Sequence, residues 1–362
     1  MKKIIASAVL TGALFQVPAH AQGLDNLLSG MEFSFNGYGT AGIVTTNTSQ
    51  AQFVRGMESS GATRSARANV DSILGVQAMA RFNPWLSATV QVLNSSNKLT
   101  DTVAWAYLKV EPLENLSIKL GKTEMPLFAV SASRDINYSN IWLRAPNEVY
   151  SLANIEELRG GEITYAHPIG STRLSLTGYA GKTVIVLSGQ GSPADAKNVR
   201  GGALRWETEW VTLRGGIATT IVELPGIHDR YTFSSVGALV DHNNIIAQAE
   251  YVRRKSAGFA MVVNASGYYV LGGYRFGKVA PYVSYASTTK ADAAFPVGIS
   301  FDQDTIAVGV RWDAFRSADI KFQFERVDPK GTAGISFAQV QPGFGNSTVN
   351  ALSLTLDFVF GG

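Results

Sequence analysis

The chain has 362 residues, no cysteine and a formal net charge of +3, and only 16% of its residues are charged. The lack of cysteine excludes disulfides, thiolate metal sites and thiol redox chemistry. The small net charge provides no broad basic surface, which excludes nucleic acid as a partner.

The first 21 residues are predicted to be a cleaved secretory signal peptide. Lys2 and Lys3 form a basic start, residues 4–17 form an apolar core, and residues 19–21 (AHA) form a small-residue cleavage site. The apolar core is too short to cross a membrane as a helix. Residues 22–362 are therefore predicted to be the exported, mature domain.

Sixteen segments of the mature chain alternate between apolar and polar residues with a period of two, which is typical of strands. The connections between them alternate in length, so that short turns lie at one end of the strands and longer loops at the other. The third long loop, residues 124–158, is the longest. The predicted strands cover residues 31–43, 70–83, 86–94, 102–111, 115–123, 159–168, 172–181, 198–208, 210–220, 230–241, 244–254, 262–277, 278–289, 302–314, 317–328 and 349–360.

The alternation also indicates which solvent the strands face. In the last segment Leu354 and Leu356 share one face, and Thr355 and Asp357 share the other. A soluble sandwich is the alternative, but sixteen strands would make an unusually large sheet. Short turns opposite long loops are the plan of outer-membrane barrels, and strands in lipid must close because an open edge leaves backbone groups unpaired.

The predicted fold is therefore all-β: a transmembrane antiparallel up-and-down β-barrel of 16 strands with short periplasmic turns and long outer loops. The third loop contains too many apolar residues for a solvated linker. We predict that it folds into the lumen and narrows the pore.

Charged side chains on the strands must face the lumen, because Arg or Lys on the lipid side costs roughly 2–4 kcal/mol at the midplane. An ordinary lumenal charge far from the narrowest point is the alternative for each wall residue. The predicted wall residues of the pore are Lys119, Arg205, Arg214, Lys321 and Glu325. The predicted residues of the constriction loop are Arg134, Asp135, Arg144, Glu148, Glu156 and Glu157.

Five stretches resemble the Gram-negative outer-membrane porins of the 16-stranded, trimeric kind, and the resemblance covers essentially the whole mature chain. They are FSFNGYGTAG, GVQAMARFNPWLSATVQV, AWAYLKV, LSIKLGK and ALSLTLDFVF. The resemblance implies a homotrimer in outer-membrane lipid, with the third loop at the narrowest point of the channel. The chain departs from the family in one respect, because Gly361 and Gly362 follow the terminal aromatic Phe360 and displace the assembly signal.

These observations predict a porin: a water-filled channel for the passive diffusion of small hydrophilic solutes and ions, with no cofactor and no metal. A substrate-selective channel for anions is the alternative. A barrel enzyme is disfavoured, because the chain has only four histidines and no nucleophile elbow. An adhesin is disfavoured because the outer loops other than the third are short.

Overall fold

The structure is a computed structural model of the chain. It describes residues 30–56, 60–95, 102–153, 155, 157–186, 193–224, 227–257, 264–290, 302–330, 333–345 and 347–361. The predicted signal peptide and Glu156 lie outside the described residues.

Sixteen antiparallel strands form one closed barrel, and the predicted fold class is confirmed. Each predicted strand is present, with bounds that differ from the prediction by a few residues. The strands are β1 Glu32–Thr46, β2 Ile73–Asn83, β3 Leu86–Ser95, β4 Val103–Leu113, β5 Leu116–Glu124, β6 Glu157–Ile169, β7 Thr172–Val186, β8 Pro193–Glu207, β9 Val211–Leu224, β10 Ile227–His242, β11 Ile245–Ser256, β12 Ala265–Tyr274, β13 Val279–Lys290, β14 Gln303–Trp312, β15 Ala318–Pro329 and β16 Val349–Gly361.

The barrel closes between its first and last strands. β1 pairs with β16 from Asn36 opposite Gly361 to Thr46 opposite Ala351, and its other edge pairs with β2. Gly361 therefore continues β16 beyond Phe360 and belongs to the closing ladder. Within the described strands, this pairing leaves the barrel without an open edge, as the hydrocarbon core of a membrane requires.

The outer face of the barrel is apolar and its inner face is polar. In β16 the side chains of Leu354 and Leu356 point outward, and Leu354 is 48% exposed. Their neighbours Thr355 and Asp357 point inward and are buried, with Asp357 at 0% exposure. This is the reverse of a soluble protein, and an apolar outer face of this kind fits hydrocarbon instead of water.

Three connections on the long-loop side, which we name L1 (residues 47–72), L3 (residues 125–156) and L8 (residues 330–348), fold toward the lumen in their described parts. L1 and L8 contribute two-residue strands, Gln52–Phe53 and Phe337–Ala338, which pair in a small separate sheet. The ring of Phe53 packs edge-on against that of Phe337, with centroids 5.9 Å apart. This sheet lies above the β15–β16–β1 side of the barrel, where its apolar residues share a buried cluster with Val327 and Val349.

L3 has little regular structure. It contains two 3-10 turns, Ser131–Ser133 and Asn137–Ser139, and one short helix, α1, over Asn147–Tyr150. Within the described part of the chain, no helix is both long and apolar enough to cross a membrane.

Glycines on β1 leave room for aromatic rings of β16 at the closing seam. A Cβ atom built on Gly39 would lie 2.5 Å from Cζ of Phe358, its partner in the ladder. A side chain at position 39 would clash with the ring of Phe358 unless the ring moved. Only glycine avoids this clash.

Gly39→Ala is expected to destabilise the barrel by about 1–3 kcal/mol, the usual cost of overpacking. The free energy of unfolding in denaturant, measured on protein refolded in detergent, tests this. Gly272→Ala is the matched control, because a Cβ there meets no atom within 4 Å. Equal midpoints for the two variants would contradict the close packing at the seam.

Candidate functional site

L3 is packed against the lumenal wall, and its predicted inward fold is confirmed. The side chains of Trp142, Val149 and Leu152 are buried and form one apolar cluster with lumenal side chains of the wall, Phe233 and Tyr269 among them. The Trp142 and Tyr269 rings meet edge to face with centroids 5.8 Å apart. L3 is therefore a packed layer inside the barrel, stabilised by apolar contacts like those of a hydrophobic core.

Arg144 ties L3 to three other segments. Its guanidinium donates to Asp71 of L1 with Nε 2.9 Å from Oδ1, and to Ser353 of β16 with Nη2 2.8 Å from Oγ. It also forms an ion pair with Glu325 of β15. All three groups accept from one buried cation, and bidentate pairing of this kind fixes orientation as well as position.

Lys321 of β15 anchors the middle of L3. Its Nζ donates to the carbonyl oxygen of Asn137 at 2.6 Å and lies 2.9 Å from Oδ2 of Asp357. The side-chain amide of Asn137 donates in turn to Thr40 of β1 at 3.0 Å. The lysine is fully buried, so its charge is balanced beneath L3 and does not reach the water of the pore.

The N-terminal part of L3 is held through its backbone by side chains of β8, β9 and β11. Arg214 of β9 donates to the carbonyl of Leu127 at 2.9 Å, and Arg205 of β8 donates to the carbonyl of Ala129 at 3.3 Å. The carboxylate of Glu250 on β11 accepts from the backbone N–H of Ala129 at 2.9 Å. Irregular backbone leaves polar groups that need partners when buried, and lumenal charges provide them here.

The short helix α1 joins L3 to L1 and L8. The side-chain amide of Asn147 donates to the carbonyl of Val54 in L1 at 2.9 Å and to Ser336 in L8 at 3.0 Å. Its carbonyl oxygen accepts from the backbone N–H of Gly56 at 3.1 Å. One amide side chain therefore connects the three loops that fold inward.

Burial acts in opposite directions on the pKa values of two L3 residues, Arg144 and Glu148. Burial alone would lower the pKa of Arg144, but the carboxylates of Asp71 and Glu325 outweigh it and raise that pKa. Burial raises the pKa of Glu148 above its ordinary value, although hydrogen bonds from Thr305 and Gln303 oppose the rise. The two carboxylates thus favour the charged form of Arg144, whereas burial makes the charged form of Glu148 less favourable than it is in water.

The free surface of L3 faces the β1–β3–β4–β5 side of the lumen across a narrow gap, which we name the eyelet. It is a recess of about 30 Å³ whose lining combines polar or aromatic residues with apolar ones. The former are Tyr38, Gln91, Trp105, Glu124, Ser131, Arg134 and Asp135, and the latter are Leu93, Ala104, Met125, Phe128, Ala132 and Ile155. Lys119 of β5 borders the eyelet, with Nζ 5.5 Å from the ring centroid of Tyr107 and 3.4 Å from Oε1 of Glu124.

A scan against protein-family models and a search of curated proteins found no match for the chain. Solved structures with a similar fold include the anion-selective porin from Comamonas acidovorans, with a TM-score of 0.61 and 11% identity over 91% of this chain and 100% of the porin. The outer membrane channel DcaP of Acinetobacter baumannii has a TM-score of 0.60 and 12% identity over 92% of this chain and 98% of DcaP. The trimer form of OmpT, an outer membrane protein of Vibrio cholerae, has a TM-score of 0.57 and 13% identity over 91% of this chain and 100% of OmpT.

The chain has the fold of the sixteen-stranded outer-membrane porins. Each of these matches covers at least 91% of this chain, so the similarity extends over the whole barrel and is not limited to a few strands. Sequence identities of 11–13% lie too low to transfer solute preference or individual site residues.

The structure separates the predicted site residues into two groups. One group is buried at the contacts of L3 or at the start of β6, and comprises Arg144, Glu148, Glu157, Arg214, Lys321 and Glu325. The other group reaches the water of the lumen, with side chains that are 18–33% exposed, and comprises Lys119, Arg134, Asp135 and Arg205. Glu156 lies outside the described residues.

The sequence-based prediction missed Glu124 and the uncharged residues of the eyelet, and it missed the L1 carboxylate Asp71. A signal for one of them was present, because Trp105 has the same parity on β4 as the lumenal charge Lys109. Asp71 falls inside the predicted strand 70–83, but the structure places it in L1 just before β2, and its partner Arg144 is distant in sequence, so the ion pair could not be read from strand parity.

Arg144→Met is expected to lower the free energy of unfolding by about 3–5 kcal/mol, because it leaves two buried carboxylates without their cation. Denaturant titration of the detergent-solubilised protein measures this. Arg326→Met is the matched control, since Arg326 pairs with Asp328 on an exposed part of the same strand β15. A loss in Arg144→Met no larger than in the control would show that the ion cluster does not hold L3.

Proposed function

We propose that the mature chain forms a water-filled channel for the passive diffusion of small hydrophilic solutes and ions across the outer membrane of a Gram-negative bacterium. The observation that carries the proposal is the position of L3. It is anchored mainly to the β8–β16 side of a closed barrel, and on the β1 and β3–β5 side it borders a recess lined with polar, charged, aromatic and apolar side chains. The fold shared with an anion-selective porin and an outer membrane channel supports it.

The mechanism that this geometry favours is steric sieving with weak local electrostatics. L3 sets the width of the eyelet, because its other surface is fixed to the wall by buried charges and a packed core. The predicted site charges that reach the water have opposite partners close by: Lys119 lies 3.1 Å from Glu162, Arg205 lies 3.0 Å from Glu207, and Arg134 lies 3.7 Å from Asp135. Paired charges produce a local field with little net preference for cations or anions.

We further propose that the chain has no catalytic activity and that it assembles as a homotrimer within outer-membrane lipid. The similarity to porin channels supports the first statement, and the trimer form of the Vibrio OmpT structure supports the second. A heat-modifiable oligomer on a gel, sized against chemically cross-linked species, tests the assembly. Cleavage after residue 21 is tested by N-terminal sequencing of the mature protein.

Ala132→Trp is expected to reduce single-channel conductance roughly by half, since the residue is exposed on the eyelet surface of L3 and an indole there narrows the path. Planar-bilayer recording measures the change. Leu176→Trp, which adds the same ring on the outer face of β7, is the control and should leave conductance unchanged. The sieving mechanism is wrong if Ala132→Trp conducts as the wild type does, and the channel proposal is wrong if no ohmic conductance is seen at all.

Reversal potentials in a salt gradient separate the general channel from the anion-selective alternative. Because the exposed charges are paired, we expect a reversal potential close to zero, with small shifts of the same sign in Lys119→Ala and Arg205→Ala. Strong anion selectivity that either substitution abolishes would favour the alternative.

A further inference from the structure

Four basic side chains are exposed on the outer face of the barrel, near the ends of β8, β10 and β11 that lead into the long loops. Their inward neighbours, Val199 and Val252 among them, are buried, so the four side chains point away from the lumen. We name this set the basic belt, and its members are Arg200 of β8, Arg230 of β10, and Arg253 and Lys255 of β11.

The register of the strands brings the basic belt onto one patch. Thr219 of β9 lies opposite Arg200 and also opposite Thr232 of β10. Thr232 in turn lies opposite Lys255. This row crosses three strand spacings of about 4.8 Å, so the backbones of Arg200 and Lys255 are about 14 Å apart. The other two members lie two residues from this row, one on each side of it. Long basic side chains at these positions can converge on one group.

The positive charge of the basic belt is not balanced by the protein. None of its four side chains has a hydrogen-bond or ion-pair partner in the described part of the chain. Among the side chains that the structure describes on the outer face of β8–β11, the one carboxylate is Glu223, and it lies 2.8 Å from Nζ of Lys197. At the loop end of β15, by contrast, Arg326 lies 3.5 Å from Asp328. Neighbouring like charges on a sheet repel, so the belt favours an anion from outside the chain.

Tyrosines mark the height of the basic belt in the membrane. Tyr251 of β11 and Tyr268 of β12 are 44% and 40% exposed on the outer face, and the ring centroids of Tyr268 and Tyr285 on β13 are 6.0 Å apart. Tyrosines on the outside of a barrel collect at the boundary between hydrocarbon and head groups. Arg253 and Lys255 lie two and four residues beyond Tyr251 toward the long loops. They therefore lie at the height of the outer-leaflet head groups, where a cation on the lipid side costs little.

We propose that the basic belt binds the phosphate groups of a phosphorylated glycolipid in the outer leaflet. The exposed side chains of Leu204, Ile217 and Val236 lie on the same face, closer to the periplasmic turns, and the acyl chains of this lipid cover them. Guanidinium groups bind phosphate through two parallel hydrogen bonds, and clustered basic residues at a membrane surface recognise anionic head groups. The inference goes beyond the proposed channel function and depends only on the barrel lying in the outer membrane with its long loops outward.

A second copy of the chain matches the basic belt less well than a lipid does. The outer-face carboxylates of Glu223, Asp304 and Asp328 are already paired with cations of their own chain. A neighbouring subunit would have to break such a pair to supply a negative charge. A lipid phosphate needs no such exchange.

The probes are diphosphoryl lipid A, monophosphoryl lipid A and phosphatidylethanolamine, each titrated in the same detergent micelles onto the full mature protein. Native mass spectrometry of the lipid-bound protein measures the affinity. We expect the affinity to fall in the order given, because each lipid carries less negative charge than the one before. Added salt should weaken the binding of diphosphoryl lipid A, since charges at a surface are screened.

The combined variant Arg200→Gln, Arg253→Gln and Lys255→Gln should bind diphosphoryl lipid A about a hundredfold more weakly, because each basic residue at a membrane surface contributes a factor of about five. The matching variant with Arg200→Lys and Arg253→Lys keeps the charge and should retain most of the affinity. Arg326→Gln is the control, since it removes a paired cation from the outer face of β15, and it should bind as the wild type does.

The proposal is wrong if the wild type binds diphosphoryl lipid A no more tightly than phosphatidylethanolamine, or if the combined Gln variant and Arg326→Gln bind it equally well. Displacement of the lipid by equimolar inorganic phosphate would contradict it by assigning the belt to a free anion. Loss of the oligomer band in the combined Gln variant, with lipid binding unchanged, would contradict it by assigning the surface to a second copy.

Planar-bilayer conductance of the same preparations keeps this proposal apart from the channel proposal. The combined Gln variant should conduct as the wild type does, because no member of the basic belt faces the lumen. A wild-type protein that conducts and shows no preference for diphosphoryl lipid A is a channel without the lipid site. A protein that shows the preference and does not conduct has the lipid site and contradicts the channel.

Discussion

The buried ion cluster around Arg144 is the interaction on which the arrangement of the lumen depends. One guanidinium contacts L1, β15 and β16, so the position of L3 is fixed relative to the wall and to the neighbouring loop together. Buried ion pairs carry a large desolvation cost, and they are weak evidence of stability in themselves. Their effect here is on specificity, because L3 in any other position would leave a cation and two carboxylates buried without partners.

L3 divides the lumen into two unlike regions. Toward β9–β16 it meets the wall through an apolar core and fully buried charges, as an element of a soluble protein would. Toward β1 and β3–β5 it hydrogen-bonds Thr40 of β1 through Asn137, and beside that contact it presents polar and partly exposed charged side chains to the eyelet. A rigid interior and a hydrated path place conflicting demands on the lumen. In this barrel one surface of L3 is packed against the wall and another surface borders the water.

The strands were predictable from sequence because two solvents act on alternate residues. Lipid on one face and water or polar partners on the other impose a period of two, and β16 with Leu354, Thr355, Leu356 and Asp357 shows it plainly. The contacts of L3 were not predictable in this way. Parity places Lys321 and Glu325 on the lumenal face, as predicted, but it does not say whether water or L3 covers them.

The closing ladder between β1 and β16 has a consequence for biogenesis. Its partners lie at opposite ends of the described residues, so the barrel cannot close until β16 is available, and closure joins residues that are far apart in sequence. Loop-closure entropy makes such contacts slow to form. Until they form, two strand edges remain unpaired, and each is a template for pairing with another chain. The edge of β1 that pairs with β16 must therefore be kept from pairing with other chains until β16 has joined the barrel.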